Sequence, residues 1–306
     1  MELRTLGRDG PLVSPLGLGC VTFGREIDRD AAFAVMDRAL ERGITLFDTA
    51  EVYARGASET IVGEWLAARG ARQQVVLATK VAGALTRERV LASAEASCRR
   101  LQTDAVDLFQ LHRWDPDVPL DETLGALEAL VQRGLARAVG VSNYAAWQVA
   151  KALWLQDRRG ATPLRTVQLN YNLVVRDIER EHLPLAADQG LGVLSYSPLG
   201  AGFLTGKYQR DAALPAGTRF AVAPGHDEIY FSERNFTILD GLRRCATAWG
   251  LPLPQLALAW VLGRPGITCV LIGARTPAHV DQVFTAGEQG LSAAQRAELD
   301  DLTRPG

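Results

Sequence analysis

The chain has 306 residues, 47% of them hydrophobic and 22% charged, with a formal net charge of −2. This is the composition of an ordinary soluble globular protein. It provides no basic face for nucleic acid, no apolar signal-peptide core, and no uncharged stretch near the ~20 residues of a membrane span, so neither nucleic acid nor membrane is expected as a partner.

Met1 is followed by a small hairpin, Glu2 to Leu6 and Leu12-Val13, around the turn Gly7-Arg-Asp-Gly10. Short β-branched runs then alternate with amphipathic stretches of helical period, the pattern of βαβ units. The first strand, Leu16 to Cys20, leads to a helix capped by Asp28 or Asp30 and closed by Gly43. Thr45 to Asp48 is the second strand, with a helix opening at Ser58 and ending at Gly70. Val75 to Thr79 precedes a helix over Thr86 to Arg100, and Val106 to Leu111 one over Leu120 to Arg133. Ala138 to Val141 is followed by Ala145 to Arg158, and Thr166 to Asn170 by Asp177 to Ala187. Gly192 to Ser195 is the seventh strand and Cys269 to Ile272 the eighth. Phe236 to Trp249 and Gln255 to Leu262 are read as the seventh and eighth helices, and Ser292 to Leu302 as a terminal one.

Eight strands with their helices predict one (β/α)8 TIM barrel domain over residues 1–306, a size within the range of that fold. An open dinucleotide fold needs Gly-x-Gly-x-x-Gly after its first strand. Gly17-Leu-Gly19 is followed by glycine only at Gly24, so that signal fails. One segment breaks the rhythm. Leu199 to Asn235, after the seventh strand, is too long for an ordinary βα loop, and loops of that length commonly serve as lids or binding loops.

In such a barrel, chemistry sits at the carboxyl ends of the strands. Three successive strands end in Asp48 with nearby Tyr53, in Lys80, and in His112. A phenol can give a proton to a carbonyl oxygen, but its ordinary pKa is about 10. A neighbouring ammonium favours phenolate, Asp48 can hold that ammonium, and His112 can donate a hydrogen bond to the same oxygen. No side chain gives hydride, so the chemistry demands a cofactor. Each residue has a blander role: Asp48 as a loop cap, Tyr53 in packing, Lys80 solvated, His112 as a loop polar. Their joint placement on three consecutive strand ends weighs against all four.

Other chemistries lack support. His112, His182, His226 and His279 show no metal-binding spacing, and no Gly-x-Ser-x-Gly elbow occurs. Cys20, Cys98, Cys245 and Cys269 are too scattered for a disulfide scaffold, which suggests a cytoplasmic protein with reduced thiols.

Seven ordered motifs now carry a resemblance. They are Leu46-Phe-Asp-Thr-Ala-Glu-Val-Tyr53, Ala78-Thr-Lys80, Gln110-Leu-His-Arg-Trp-Asp115, Gly140-Val-Ser-Asn143, Gln168-Leu-Asn-Tyr-Asn172, Ser195-Tyr-Ser-Pro-Leu199 and Ile272-Gly-Ala-Arg275. Along nearly its whole length the chain resembles the aldo-keto reductase superfamily. The resemblance implies a tetrad of Asp48, Tyr53, Lys80 and His112, with Tyr53 as general acid in reduction. It also implies NADPH lying extended across the barrel mouth. Ser142, Asn143 and Gln168 would hold the nicotinamide carboxamide, and Tyr196 would stack on the ring. Ser197, Pro198 and Leu199, with Gly202, Leu204 and Lys207, would line the pyrophosphate.

Gly273 and a following helix start offer backbone N–H groups to a phosphate, and the Arg275 fork suits a 2′-phosphate, so NADPH is expected over NADH. His279 joins this group, although related sequences often carry glutamine at its position. Val21, Phe23 and Trp114, with Tyr53, are expected to bound an apolar pocket for a small-molecule carbonyl substrate, metal-free. The implied activity is reduction of aldehydes or ketones to alcohols. Alternatives are the same residues running as an alcohol dehydrogenase, and a redox-sensing subunit similar to the potassium-channel β-subunits of the superfamily. A barrel isomerase or lyase would need phosphate loops that are not seen.

Overall fold

A computed structural model describes residues 2–222, 225 and 227–304. Strands β1 (Arg4–Thr5) and β2 (Leu12–Val13) form the antiparallel hairpin. Eight parallel strands follow: β3 (Leu16–Gly19), β4 (Leu46–Asp48), β5 (Val76–Val81), β6 (Val106–Leu111), β7 (Ala136–Ser142), β8 (Thr166–Asn170), β9 (Gly192–Tyr196) and β10 (Cys269–Gly273). They close in chain order into a barrel, with β10 pairing β3. The fold is the (β/α)8 barrel expected from the alternation.

Around it run α1 (Arg29–Glu41), α2 (Ala57–Arg69), α3 (Arg87–Arg100), α4 (Leu120–Gln132), α5 (Ala146–Arg159), α6 (His182–Gln189), α7 (Arg219–Val222), α8 (Asp227–Tyr230), α9 (Glu233–Trp249), α10 (Leu253–Leu262), α11 (Pro277–Gln289) and α12 (Ala293–Leu302). Local chemistry fixes their ends. Asp28 caps α1 by accepting from the Ala31 amide at 2.9 Å, and Thr86 caps α3 in the same way. Gly70 closes α2 in the left-handed region at φ 58°, where a side chain would be strained.

Three sequence readings change. Both α9 and α10 lie between β9 and β10, so the helix that follows the last strand is α11, not Gln255 to Leu262. The Asp177 to Ala187 stretch divides into a 3-10 turn at Asp177–Glu179 and the helix α6. The 199–235 segment holds a 3-10 turn, Gly200–Thr205, and the short helices α7 and α8; residues 223, 224 and 226 of it lie outside the described residues.

The interior is layered. Leu46, Ala78, Leu108, Leu194, Cys269 and Leu271 fill the lower barrel, and Leu6 and Val13 of the hairpin plug its end. Two residues further along their strands, and so on the same inner face, come Asp48, Lys80 and Gln110. The apolar filling gives way to polar groups one layer below the mouth. Among the described residues, no single helix is long and apolar enough to cross a membrane.

Candidate active site

β4, β5 and β6 are neighbours, and Asp48, Lys80 and His112 emerge together at their carboxyl ends. Tyr53 opens a 3-10 turn after β4, and the chain then passes through three consecutive positive φ values, 48° at Ala54, 56° at Arg55 and 91° at Gly56. Each non-glycine residue there costs about 1–2 kcal/mol. The turn reverses the backbone just behind the phenol, so the structure carries local strain where Tyr53 is placed.

Lys80 is fully buried, and its ammonium has three neighbours: Asp48 Oδ2 at 2.6 Å, the Thr49 carbonyl at 2.8 Å and the Tyr53 hydroxyl at 3.5 Å. All three donors of the ammonium are directed. The other oxygen of Asp48 accepts from Gln168 Nε2 at 3.0 Å and Gln110 Nε2 at 3.4 Å. The His112 ring stands edge-on to the Tyr53 ring, with centroids 5.7 Å apart.

Burial and charge set the protonation states. Burial raises the Tyr53 phenol above its ordinary value; Lys80 pulls it back, but not enough to reverse the direction. The expected pull of Lys80 is therefore present and outweighed. Burial works against the Lys80 charge, yet Asp48 and then Tyr53 hold its pKa above the ordinary range. Desolvation, then Lys80 and Arg113, push His112 down to about 3. At neutral pH the site thus presents a protonated phenol, an ammonium beneath it and a neutral imidazole beside it.

The rest of the rim is knitted by hydrogen bonds. Asn143, at φ 58°, donates to the His112 carbonyl at 3.0 Å and to Ser142 Oγ at 3.0 Å, while accepting from the Tyr196 hydroxyl at 2.8 Å. That last bond fixes the Tyr196 ring as a platform beside the tetrad. Ser197 also has a positive φ, 53°, and its carbonyl accepts from Asn172 at 3.0 Å. Pro198 is buried and Leu199 packs against the core, as does fully buried Leu204, so Leu204 offers this region only its backbone. A Cβ on Gly202 would sit 3.0 Å from Lys207 Nζ.

Lys207, Arg275 and His279 form a group of basic side chains. Burial, then Arg275, lowers Lys207; burial, then Arg275 and Lys207, lowers His279. Among the described residues no carboxylate pairs with Lys207 or Arg275. Gly273, with open space around its Cα, precedes this group. Mutual repulsion without an acidic partner is what a phosphate would relieve.

Across the mouth, Arg275 donates to the Gly217 carbonyl at 3.0 Å, and Arg219 of α7 meets Glu26, in the loop after β3, at 3.2 Å. Tyr230 of α8 bonds Asn170 at the end of β8 at 3.0 Å. The described residues of the 199–235 segment therefore lie over the ends of β8 and β10. Gln110, Glu26, Arg219 and Tyr230 left no signal in the sequence, because each finds its partner on an element distant in the chain.

The expected substrate wall is less even. Val21 and Trp114 are partly exposed, and Trp114 packs on Tyr144 and Trp147 at centroid distances of 5.2 and 5.8 Å. Phe23 is fully buried in the core cluster, so it backs the wall instead of lining it. His226 lies outside the described residues. A cavity of about 760 Å3 opens at the opposite end of the barrel, but Arg72 and Arg137 there already pair with Asp107 at 2.9 and 3.0 Å. It is an ion-paired structural region.

Residues 15–304 match the model of the Aldo/keto reductase family. The chain is 37% identical to the uncharacterized oxidoreductase YrpG of Bacillus subtilis (strain 168), over 99% of this chain and 96% of that protein. It is 34% identical to the aldo-keto reductase YhdN of the same organism, over 99% and 93%. It is also 33% identical to a probable voltage-gated potassium channel subunit beta of Arabidopsis thaliana, over 94% and 91%.

Proposed function

This chain belongs to the aldo/keto reductase family and is an oxidoreductase, and from that premise we propose that it reduces aldehydes or ketones to alcohols with NADPH. The observation that carries the reading is the Lys80 ammonium lying 3.5 Å from the Tyr53 hydroxyl while paired to Asp48 at 2.6 Å.

Tyr53 is the general acid. Its phenol remains protonated at neutral pH because burial holds the proton on, so it is loaded for delivery to a carbonyl oxygen. Lys80 then stabilises the phenolate left behind, and Asp48 keeps that ammonium charged and aimed. His112, neutral at physiological pH, can donate a hydrogen bond to the same oxygen without adding a charge that would compete for the proton. In the oxidising direction the same groups act in reverse, with Tyr53 as base.

The residues at the mouth fit a nicotinamide dinucleotide. When bound, NADPH supplies the hydride. Ser142, Asn143 and Gln168 offer amide and hydroxyl groups to the carboxamide, and the fixed Tyr196 ring offers a flat face. The segment from Ser197 through Gly202 to Lys207 would run along the pyrophosphate. The cations Lys207 and Arg275, with His279, suit phosphate charge, and Arg275 suits the 2′-phosphate that separates NADPH from NADH. The segment over the mouth would act as a lid. Val21 and Trp114 would border the small-molecule carbonyl substrate. Four free cysteines support a reduced, cytoplasmic setting.

A second reading draws on the relative named as a potassium channel β-subunit: a cofactor-binding, redox-sensing subunit with the same tetrad. One experiment separates the two. Purified protein is given NADPH or NADH with aromatic, aliphatic and sugar carbonyls, and absorbance at the reduced-nicotinamide band is followed. Turnover with NADPH supports the reductase. Tight NADPH binding with no turnover on any carbonyl contradicts it and favours the sensor.

A further inference from the structure

Asp48 can hold Lys80 only if its own carboxylate is held. A carboxylate turns easily about its last bond, since that torsion is broad and two-fold. One oxygen faces Lys80 at 2.6 Å; the other takes two amide donors, from Gln168 at 3.0 Å and Gln110 at 3.4 Å. Gln168 reaches from β8, four strands away from β4 and therefore across the barrel. It is also expected to serve the cofactor.

Gln110 is different. It is fully buried, sits on β6 beside Lys80 of β5, and stands two residues above the apolar Leu108 of the lower layer. Its Nε2 bonds Asp48, and its Oε1 is buried with no partner among the described residues. Its neighbour on the far side is Gly140 of β7, which supplies no side chain; a Cβ there would come within 2.0 Å of Thr166 Oγ1. Barrel interiors are filled mainly by branched aliphatic residues, and burying an amide is costly unless it has a partner to serve. Asp48 is that partner.

Resting on the reading of Tyr53 as general acid, we propose that Gln110 is a positioning residue: with Gln168 it pins one oxygen of Asp48, so that the other stays aimed at Lys80 and Lys80 stays beneath the Tyr53 hydroxyl. The groups facing Tyr53 and Lys80 are Asp48 from β4, Cys20 after β3, His112 after β6, itself acted on by Arg113, and the Tyr196 phenol of β9. Asp48 favours the protonated phenol, and the two amides draw off part of its charge. Without Gln110, more of that charge acts on Tyr53, and the proton is held to higher pH.

The test compares wild type with Gln110→Met, which keeps volume and loses the donor, and Gln110→Asn, whose amide is too short to reach. Carbonyl reduction with NADPH is measured from pH 7 to about 11.5, a window that extends past the ordinary phenol value, alongside Tyr53→Phe. Both glutamine variants are expected to lose about tenfold in kcat, keep KM for the carbonyl within about twofold, and move the alkaline limb to higher pH. Should the methionine variant fail to fold, the smaller asparagine one carries the same comparison. Wild-type kcat, or a loss of kcat with an unmoved limb, overturns the proposal while an inactive Tyr53→Phe leaves the general-acid reading standing. Turnover in Tyr53→Phe would instead refute that reading itself.

Discussion

Lys80→Met removes the charge on which the site is built and leaves a side chain of similar length. Lys80 is fully buried, and Asp48 is only 2% exposed, so the variant strands a carboxylate in the barrel interior. Breaking a buried pair in this way costs about 3–5 kcal/mol. With an unfolding entropy of about 2.1 cal/mol/K per residue, a chain of 306 residues should lose about 5–8 °C in Tm. The pH dependence gives a sharper test. In the wild type the Lys80 pKa is raised, because Asp48 and Tyr53 outweigh burial. Its stabilising contribution is fully present below the unfolded-state lysine value and is lost only as pH rises through the folded one. Between pH 5 and 8 it is therefore constant. The deficit should therefore be full at pH 6.5 and 8 and narrow only at alkaline pH, as Lys80 in the wild type loses its charge. Calorimetric Tm values for both proteins at pH 6.5, 8 and about 10.5 measure it. Equal Tm values at pH 8, or a deficit that widens at alkaline pH, would refute the reasoning.

Arg275→Ala should weaken NADPH binding by about tenfold or more while changing NADH by less than about twofold, as expected for loss of a charged hydrogen bond to a 2′-phosphate. Equal losses in fluorescence titrations would remove Arg275 from that phosphate. Because His112 titrates near 3 in the folded protein, kcat/KM for reduction should show no break at the ordinary histidine value between pH 5 and 8. The same depressed pKa makes the unfolded chain bind a proton that the fold does not, so stability should fall as pH drops below about 6.5. His112→Gln should flatten that slope, and an unchanged slope would contradict the assignment.

Much of this was legible because strands and catalytic side chains share one signal. The run Leu46-Phe47-Asp48 is both a strand and the delivery of a carboxylate to the mouth, and the same holds for Lys80 and His112. Cap residues such as Asp28 and Thr86 made helix starts readable, since the capping bond is local. What stayed hidden depends on distant contacts. The four-residue helices α7 and α8 have no periodicity of their own; they are held by Phe203, Phe220, Tyr230, Phe231 and Phe236 packing together. Gln110 reads as one polar residue inside an apolar strand until the barrel closes and brings Asp48 to it. Phe23 looked like pocket lining because its loop was placed correctly, but the side-chain direction is set by core packing. The left-handed turn at Ala54 and Arg55 left no trace, as neither residue type favours that conformation. The net direction of the Tyr53 shift required the balance of burial against charge, which spacing cannot supply.

The central claim is that Tyr53 gives the proton. Its most direct test is Tyr53→Phe, with NADPH affinity from fluorescence quenching and carbonyl reduction from NADPH consumption measured on the same preparation. The account predicts an affinity within about twofold of wild type and a kcat reduced by about 10²–10⁴-fold, the range of general-acid contributions. Wild-type turnover in a variant that binds NADPH normally would contradict it.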